Sequence, residues 1–383
     1  MNEENKQLSF MEAASIIVGH GVGAGILSVP YLASRNSFGT VILVLIIGYV
    51  FALLLHLMIA ELSYNNDGAQ FISCFNSELF SGIVKKVFTW VSFALLALSV
   101  IFNVSAYLTG AAAVFANWFS LSRTAGILLF YVIGAGVVFF GIKLVGLCEK
   151  IAVYAMVAVV GILLAATFLH GTEPLSFQSQ GFSNALALFG MVSFSLSAVM
   201  STPQVVKGLN KDAAEIRKAI AAGLAINLAL IFVITLMTLL GSGTEISEDG
   251  ALVDLSRSLG GWVSVVGYIF TLLALATSFW ANTLNLRDII HEQTKLNEKL
   301  SWLIATLPCL LLALIGLSTF VGFTRFASLI QVVTGLAIIW AYHKSRNRTG
   351  TSDLCGSLGI TVFQILVLIG SVLSTVGAVL PVK

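Results

Sequence analysis

Residues 18–31 read VGHGVGAGILSVPY, with glycine at 19, 21, 23 and 25 and Pro30 just beyond. They sit inside an apolar stretch, 9–34, long enough to cross a bilayer as one helix. Each glycine in a helix interior costs about 1 kcal/mol relative to alanine, and alternate glycines do not share one face as a GxxxG seam does. The economical reading is a helix that unwinds at membrane depth. The alternative is a glycine-rich packing seam in a continuous helix. Irregular backbone in lipid is tolerated only where it faces protein or a wet cavity, so an unwound segment here is expected to line a binding site.

The composition places that segment in a membrane. Of 383 residues, 58% are hydrophobic and 10% charged, against about 25% charged in a typical soluble domain. The net charge of +2 comes without a basic run, which argues against a nucleic-acid partner. Cys74, Cys148, Cys309 and Cys355 show no CxxC spacing and are read as reduced thiols. Residues 1–7 are polar and are not followed by a cleavage-site pattern, so the first span is expected to belong to the mature fold.

A transmembrane helix needs about 20 mostly apolar residues. Polar punctuation divides the chain into stretches at 9–34, 38–63, 85–117, 124–142, 149–169, 182–205, 214–241, 260–290, 300–317, 321–343 and 357–380, giving an all-α membrane protein of 11 transmembrane helices. With the N-terminus cytoplasmic, 15 of the 20 Lys and Arg fall in inner segments, Lys85, Lys86, Lys143, Lys150, Arg217 and Lys218 among them. That bias sets the orientation and leaves the C-terminus outside the cell membrane. Outer segments hold Arg35, Arg123, Arg257, Arg325 and Lys383 beside acidic Glu173, Glu245, Glu248, Asp249 and Asp254. The inner loop 64–84 suits an amphipathic segment on the membrane surface. The outer loop 242–259 is expected to fold as a short helical cap, either a lid or a solvated connector.

A second interruption occurs in span 6. Ser193-Phe194-Ser195-Leu196-Ser197 and then Ser201-Thr202-Pro203-Gln204 break an otherwise apolar helix. Spans 1 and 6 correspond if residues 1–169 form a first five-helix repeat and 182–343 a second, with 357–383 as an eleventh helix and C-terminus. An odd number of spans per repeat makes the second inverted relative to the first. Paired breaks in inverted repeats point to a transporter site near the bilayer midplane. Half-helix N-termini attract a carboxylate and half-helix C-termini attract a cation, so a zwitterionic amino acid matches both. Ionisable residues within spans are functional candidates: His20 in the first break as a proton acceptor or substrate contact, and His56 and Glu61 in a local structural role.

The residues that carry these features also resemble a known family. GVGAGILSVPY in span 1, the Phe-Ser break of span 6, NKDAAEIRKAIAAG entering span 7 and TLLALATSFWANTLNLRDII in span 8 resemble the amino acid/auxin permease family, in particular its bacterial aromatic amino acid permeases. The resemblance covers about residues 8–343. It implies the LeuT-type fold of the amino acid-polyamine-organocation superfamily, a 5+5 inverted repeat with interrupted helices 1 and 6, here with one extra helix.

Carried over, it implies a substrate site of Val18, Gly19, Gly21, Gly23 and Gly25 in span 1, Tyr107 in span 3, and Phe194, Ser195, Ser197 and Met200 in span 6, with Phe194 as aromatic gate; His20, from its place in the first break, and Asn103, from its place in span 3, are further substrate candidates. It also implies a sodium site of Val18, Gly21, Ala274, Thr277 and Ser278, whose two hydroxyls and three carbonyls suit a hard cation. The plainer reading is that Thr277 and Ser278 hydrogen-bond one turn back along their own helix. A second sodium site is not expected, because Gly25 stands where that site needs Asn; Asn227 is read as a helix–helix hydrogen bond.

The expected activity is import of a neutral amino acid by alternating access, coupled to sodium, with proton-coupled or uncoupled permeation and a membrane sensor without turnover as alternatives. No cofactor is expected beyond sodium as coupling ion, and the partners are the amino acid and the lipid bilayer. The sequence does not fix an oligomeric state. Five scattered His without an HExxH pair argue against an intramembrane enzyme, and no charged ring or pore-lining repeat suggests a channel.

Overall fold

A computed structural model of the chain describes residues 7–175, 177, 181–242, 246–247, 250–316, 320–350 and 353–380, with the backbone alone at Ala24 and over 320–334. The charge assignments at Lys6, Glu245, Glu248, Asp249 and Lys383, and the side chain of Arg325, lie outside the described residues. Helix α1, Phe10–Gly21, starts in a capping box in which Ser9 and Glu12 satisfy each other's backbone N–H groups. It ends at the glycine run, as expected. A 3-10 turn at Ala24–Ser28 leads into α2, Val29–Ser34, where Pro30 occupies the first turn, a place that needs no N–H donor. The two halves of this span meet at 55°.

Helices α3 (Phe38–Asn65), α4 (Phe71–Glu78), α5 (Gly82–Phe119), α6 (Arg123–Phe139) and α7 (Ile142–His170) follow. The second interruption separates α8, Phe182–Ser195, from a 3-10 turn at Val199–Ser201 and α9, Thr202–Gly208. Then come α10 (Ala213–Gly241), α11 (Ala251–Leu259), α12 (Trp262–Thr294), α13 (Glu298–Ile315), α14 (Phe320–Thr349) and α15 (Thr361–Val379). Among the described residues eight helices are long and apolar enough to cross a membrane, and nine if the bent first pair is one span. Helices α6 and α14 stand where the fourth and tenth spans were expected.

Polarity is distributed as lipid solvation requires. Leu43, Ile46, Ile47 and Val50 of α3 face outward, whereas Glu61, Glu149, Asn227, Thr277 and Asn285 are buried between helices. Ionisable groups in a bundle interior are costly unless paired or functional, and most here are paired. Glu61 accepts from Arg346 Nη1 at 2.7 Å and from the Cys355 N–H at 3.1 Å, tying α3 to α14 and to the segment after it. A buried pair of this kind fixes register more than it adds stability. At the same end of the bundle Lys143 of α7 donates to Glu12 of α1 at 2.8 Å, and the Leu8 N–H donates to the Gly208 carbonyl at 3.0 Å.

Two expectations need correction. The apolar face of α4 is covered by protein: Phe71, Ile72, Cys74 and Phe75 are buried against α5, α12 and α14. Hydropathy alone does not distinguish a face turned to lipid from one turned to neighbouring helices. The fifth span starts at Ile142, seven residues before the expected 149, so Lys143 and Lys150 lie on the helix and Glu149 is two turns inside it. Within 242–259 a short helix does form, α11. Ala251, Leu252 and Leu255 of α11 are buried, and Asp254 accepts from the Ser247 N–H at 3.0 Å and the Ser247 hydroxyl at 2.7 Å.

Candidate functional site

The two interruptions face each other across the bundle centre. In the first, the Val22 N–H still reaches the Val18 carbonyl at 2.8 Å, after which Gly23 adopts an extended conformation with φ of −115° and ψ of −167°. In the second, α8 ends at Ser195 and the chain resumes as a 3-10 turn at Val199. Gly25 abuts the Phe194 ring, since a β-carbon at Gly25 would stand 2.7 Å from it and 3.0 Å from the Ser195 hydroxyl. A β-carbon at Gly21 would overlap the Asn227 amide of α10 and approach the Ser195 carbonyl at 3.0 Å. These glycines are therefore close-approach positions. Around Gly23 there is room, because the nearest atom to an added β-carbon is the Ser278 hydroxyl at 3.9 Å.

Two histidines brace the second interruption. His56 Nε2 accepts the Ala198 N–H at 2.8 Å, and its Nδ1 donates to the Ala52 carbonyl at 2.6 Å. Those two bonds define one neutral tautomer. His20, in the last turn of α1, pairs through Nδ1 with the Ser201 hydroxyl at 2.6 Å, so it joins one break to the other. Asn285 of α12 donates to the Met200 carbonyl at 2.8 Å and to Gln70 Oε1 at 2.8 Å.

The predicted substrate residues thus fall into groups. Gly21, Gly25, Phe194 and Ser195 come together, and the Ser195 hydroxyl and Asn227 Oδ1 are buried without a hydrogen-bond partner among the described residues. Phe194 is 55% exposed. Tyr107 of α5 lies beside the side chains of Ser278 and Asn282 on α12, which brings it to the Gly23 side of the break. Asn103 is buried one turn before it, and Ser197 and Met200 are half-buried in the second break. Asn227 donates to the Ile17 carbonyl at 3.4 Å, the interhelical bond expected of it.

The predicted cation ligands are arranged differently along α1. Thr277 lies beside Gly19, whereas Gly21 faces α10. The Thr277 hydroxyl donates to the Ala274 carbonyl at 3.0 Å, the one-turn-back bond of the plainer reading. That bond uses the hydroxyl proton and leaves the oxygen lone pairs able to accept. The residue that sequence reasoning missed is Glu149. Its side chain reaches the same place from α7: a β-carbon on Gly19 would overlap Glu149 Oε2 and stand 2.9 Å from Thr277 Cβ. Both carboxyl oxygens are buried without a hydrogen-bond partner among the described residues. A buried, unpaired carboxyl is a group that a small cation would neutralise.

Paired helix breaks that face each other inside an all-helical bundle are the pattern of membrane transporters. Residues 6–376 match the Tryptophan/tyrosine permease family, and the chain belongs to that family. The amino acid/auxin grouping suggested by the motifs is not the one this match names. No curated protein matches the chain. Among solved structures, MhsT in complex with L-phenylalanine is 14% identical with a TM-score of 0.70, covering 97% of this chain and 99% of MhsT. Mhp1, a nucleobase-cation-symport-1 family transporter with bromovinylhydantoin bound, is 15% identical with a TM-score of 0.67 over 99% of this chain and 93% of Mhp1. A manganese transporter of Eremococcus coleocola, in a mutant form, is 13% identical with a TM-score of 0.64 over 99% of this chain and 87% of its own. At such identities the likeness establishes a shared fold.

Proposed function

We propose that this protein is a secondary active transporter that imports a neutral amino acid, aromatic ones foremost, across the cell membrane by alternating access. The observation that carries the reading is the meeting of Gly21, Gly25, Phe194 and Ser195 where both helices unwind. Backbone groups released at such breaks suit the two charges of a zwitterion. The proposed side-chain pocket of Asn103, Tyr107, Phe194, Ser197 and Met200 contains no Asp, Glu, Lys or Arg. A charged substrate side chain would be buried there without a partner, at a cost of several kcal/mol. The family's name, and the phenylalanine held by MhsT, favour aromatic substrates.

In this reading residues 1–169 and 182–343 are inverted repeats followed by an eleventh helix, the N-terminus is cytoplasmic, and the cap at α11 overlies the outer half of the first span. A coupling cation sits where α1, α7 and α12 meet. Sodium is the candidate, with oxygens from Val18, Gly21, Ala274, Thr277 and Ser278. Uptake of labelled tryptophan, tyrosine and phenylalanine into proteoliposomes tests the function. Accumulation supports transport, and saturable binding without entry would make the protein a sensor.

A further inference from the structure

Among the described residues, Glu149 is a buried acidic side chain that the fold leaves unpaired. Charged groups of the helices packed on α7 are bonded elsewhere: Glu12 of α1 to Lys143 and Lys150, and Arg287 of α12 to Asp288 at 2.7 Å. His20, the residue after Gly19, is held by Ser201 on the second break. No Asp, Glu, Lys or Arg of α6 or α10 pairs with it among the described residues. Its Oε2 nevertheless fills the space where a β-carbon on Gly19 would stand, a point 2.9 Å from Thr277 Cβ, and Gly19 lies three residues before Val22, where α1 stops being helical.

A bare carboxylate in such a place costs several kcal/mol, and that cost disappears when one positive charge is bound to it. Gly19 matters because any larger residue there would occupy the space of the carboxyl. The glycine is what lets a group on α7 touch the first break.

We propose that the Glu149 carboxyl is the seat of the driving cation: one unit of positive charge, sodium or a proton, binds it in each cycle and locks α7 and α12 onto the inner half of α1. Binding neutralises the junction and favours its closed packing. Release leaves a charged carboxylate that water must reach, which favours parting of α1 from α7. This inference rests on the transport reading and assigns the residue that couples it.

The test uses the full chain in proteoliposomes, with labelled tryptophan counterflow as the measure of transport and accumulation under an imposed sodium or pH gradient as the measure of coupling. The parent is expected to accumulate substrate under one of the two gradients, which identifies the cation. Glu149→Gln is expected to keep counterflow while accumulation falls to the level without a gradient. Gradient-driven accumulation retained in Glu149→Gln overturns the proposal, as does a parent with counterflow that responds to neither gradient. A parent without counterflow refutes the transport reading instead.

Should the variant fail to fold, carbodiimide labelling of the parent decides. Modification at Glu149 that sodium or raised pH suppresses supports the proposal. Labelling at Glu149 indifferent to both, or none at Glu149 under any condition, overturns it.

Discussion

His56 Nε2 accepts the backbone N–H of Ala198 at 2.8 Å, so a side chain of α3 caps the donor that the second helix break sets free. A buried N–H left without a partner costs about 1–3 kcal/mol, and the break would otherwise repack to recover it. His56→Ala is expected to lower the unfolding temperature and to weaken substrate binding, whereas His56→Gln, which keeps an acceptor, loses less of both. Thermal-shift titrations with tryptophan check this, and equal losses in the two variants would contradict it.

The glycines of the first break separate into two kinds. A β-carbon at Gly21 would collide with Asn227, while one at Gly23 would meet nothing closer than 3.9 Å. Gly21→Ala should therefore destabilise the protein, by about 1–3 kcal/mol as for overpacked cores. Gly23→Val should fold and yet fail to bind, because its side chain enters the space left for the ligand. Detergent melting curves and ligand titration together distinguish the outcomes; a Gly23→Val protein that binds normally would place the ligand elsewhere.

On α4, outside the spans, burial pushes the Glu78 carboxyl up, but hydrogen bonds from Arg348 and Asn66 outweigh it and hold the group below the usual carboxylate range. A depressed folded value means the stabilisation is present above the unfolded value, about 4.3, and is lost as pH falls through the folded value. The advantage of the parent over Glu78→Gln in melting temperature should be full at neutral pH, shrink below about pH 4.3 and vanish at lower pH. An advantage that grows on acidification would contradict the assignment.

Much of this architecture was legible because lipid solvation writes itself into long apolar stretches and because alternate glycines are costly in a helix. The first break falls at the glycine run, and the second between Ser195 and Val199. Glu149 was not legible, since Lys143 and Lys150 beside it mark the end of a span in any hydropathy reading. Those lysines reach Glu12 from within the helix, which only the packing of α1 on α7 reveals. Hydropathy puts His56 near a helix end, but its partner lies 142 positions away across the bundle. The buried face of α4 is hidden for the same reason as Glu149: polarity shows that a face is apolar, not what covers it.

Removing both hydroxyls on α12, with Thr277→Ala and Ser278→Ala together, is expected to abolish any sodium dependence of uptake. Ser278 also lies beside Tyr107, so the single Ser278→Ala variant should weaken tryptophan binding even without sodium, while Thr277→Ala should not. Binding measured with and without sodium separates the two roles. Unaltered sodium dependence in the double variant would remove Thr277 and Ser278 from the cation site.

The central claim is that a neutral amino acid binds where the two broken helices meet and is carried through. It is tested most directly by competition against labelled tryptophan counterflow in proteoliposomes, using unlabelled tryptophan, tyrosine, phenylalanine, leucine, lysine, arginine, aspartate and glutamate. The aromatic and other neutral amino acids are expected to compete at least about tenfold better than the charged ones, the factor that corresponds to about 1.4 kcal/mol. Inhibition by arginine or glutamate as strong as by tyrosine, or counterflow unchanged in Gly23→Val, would contradict the account.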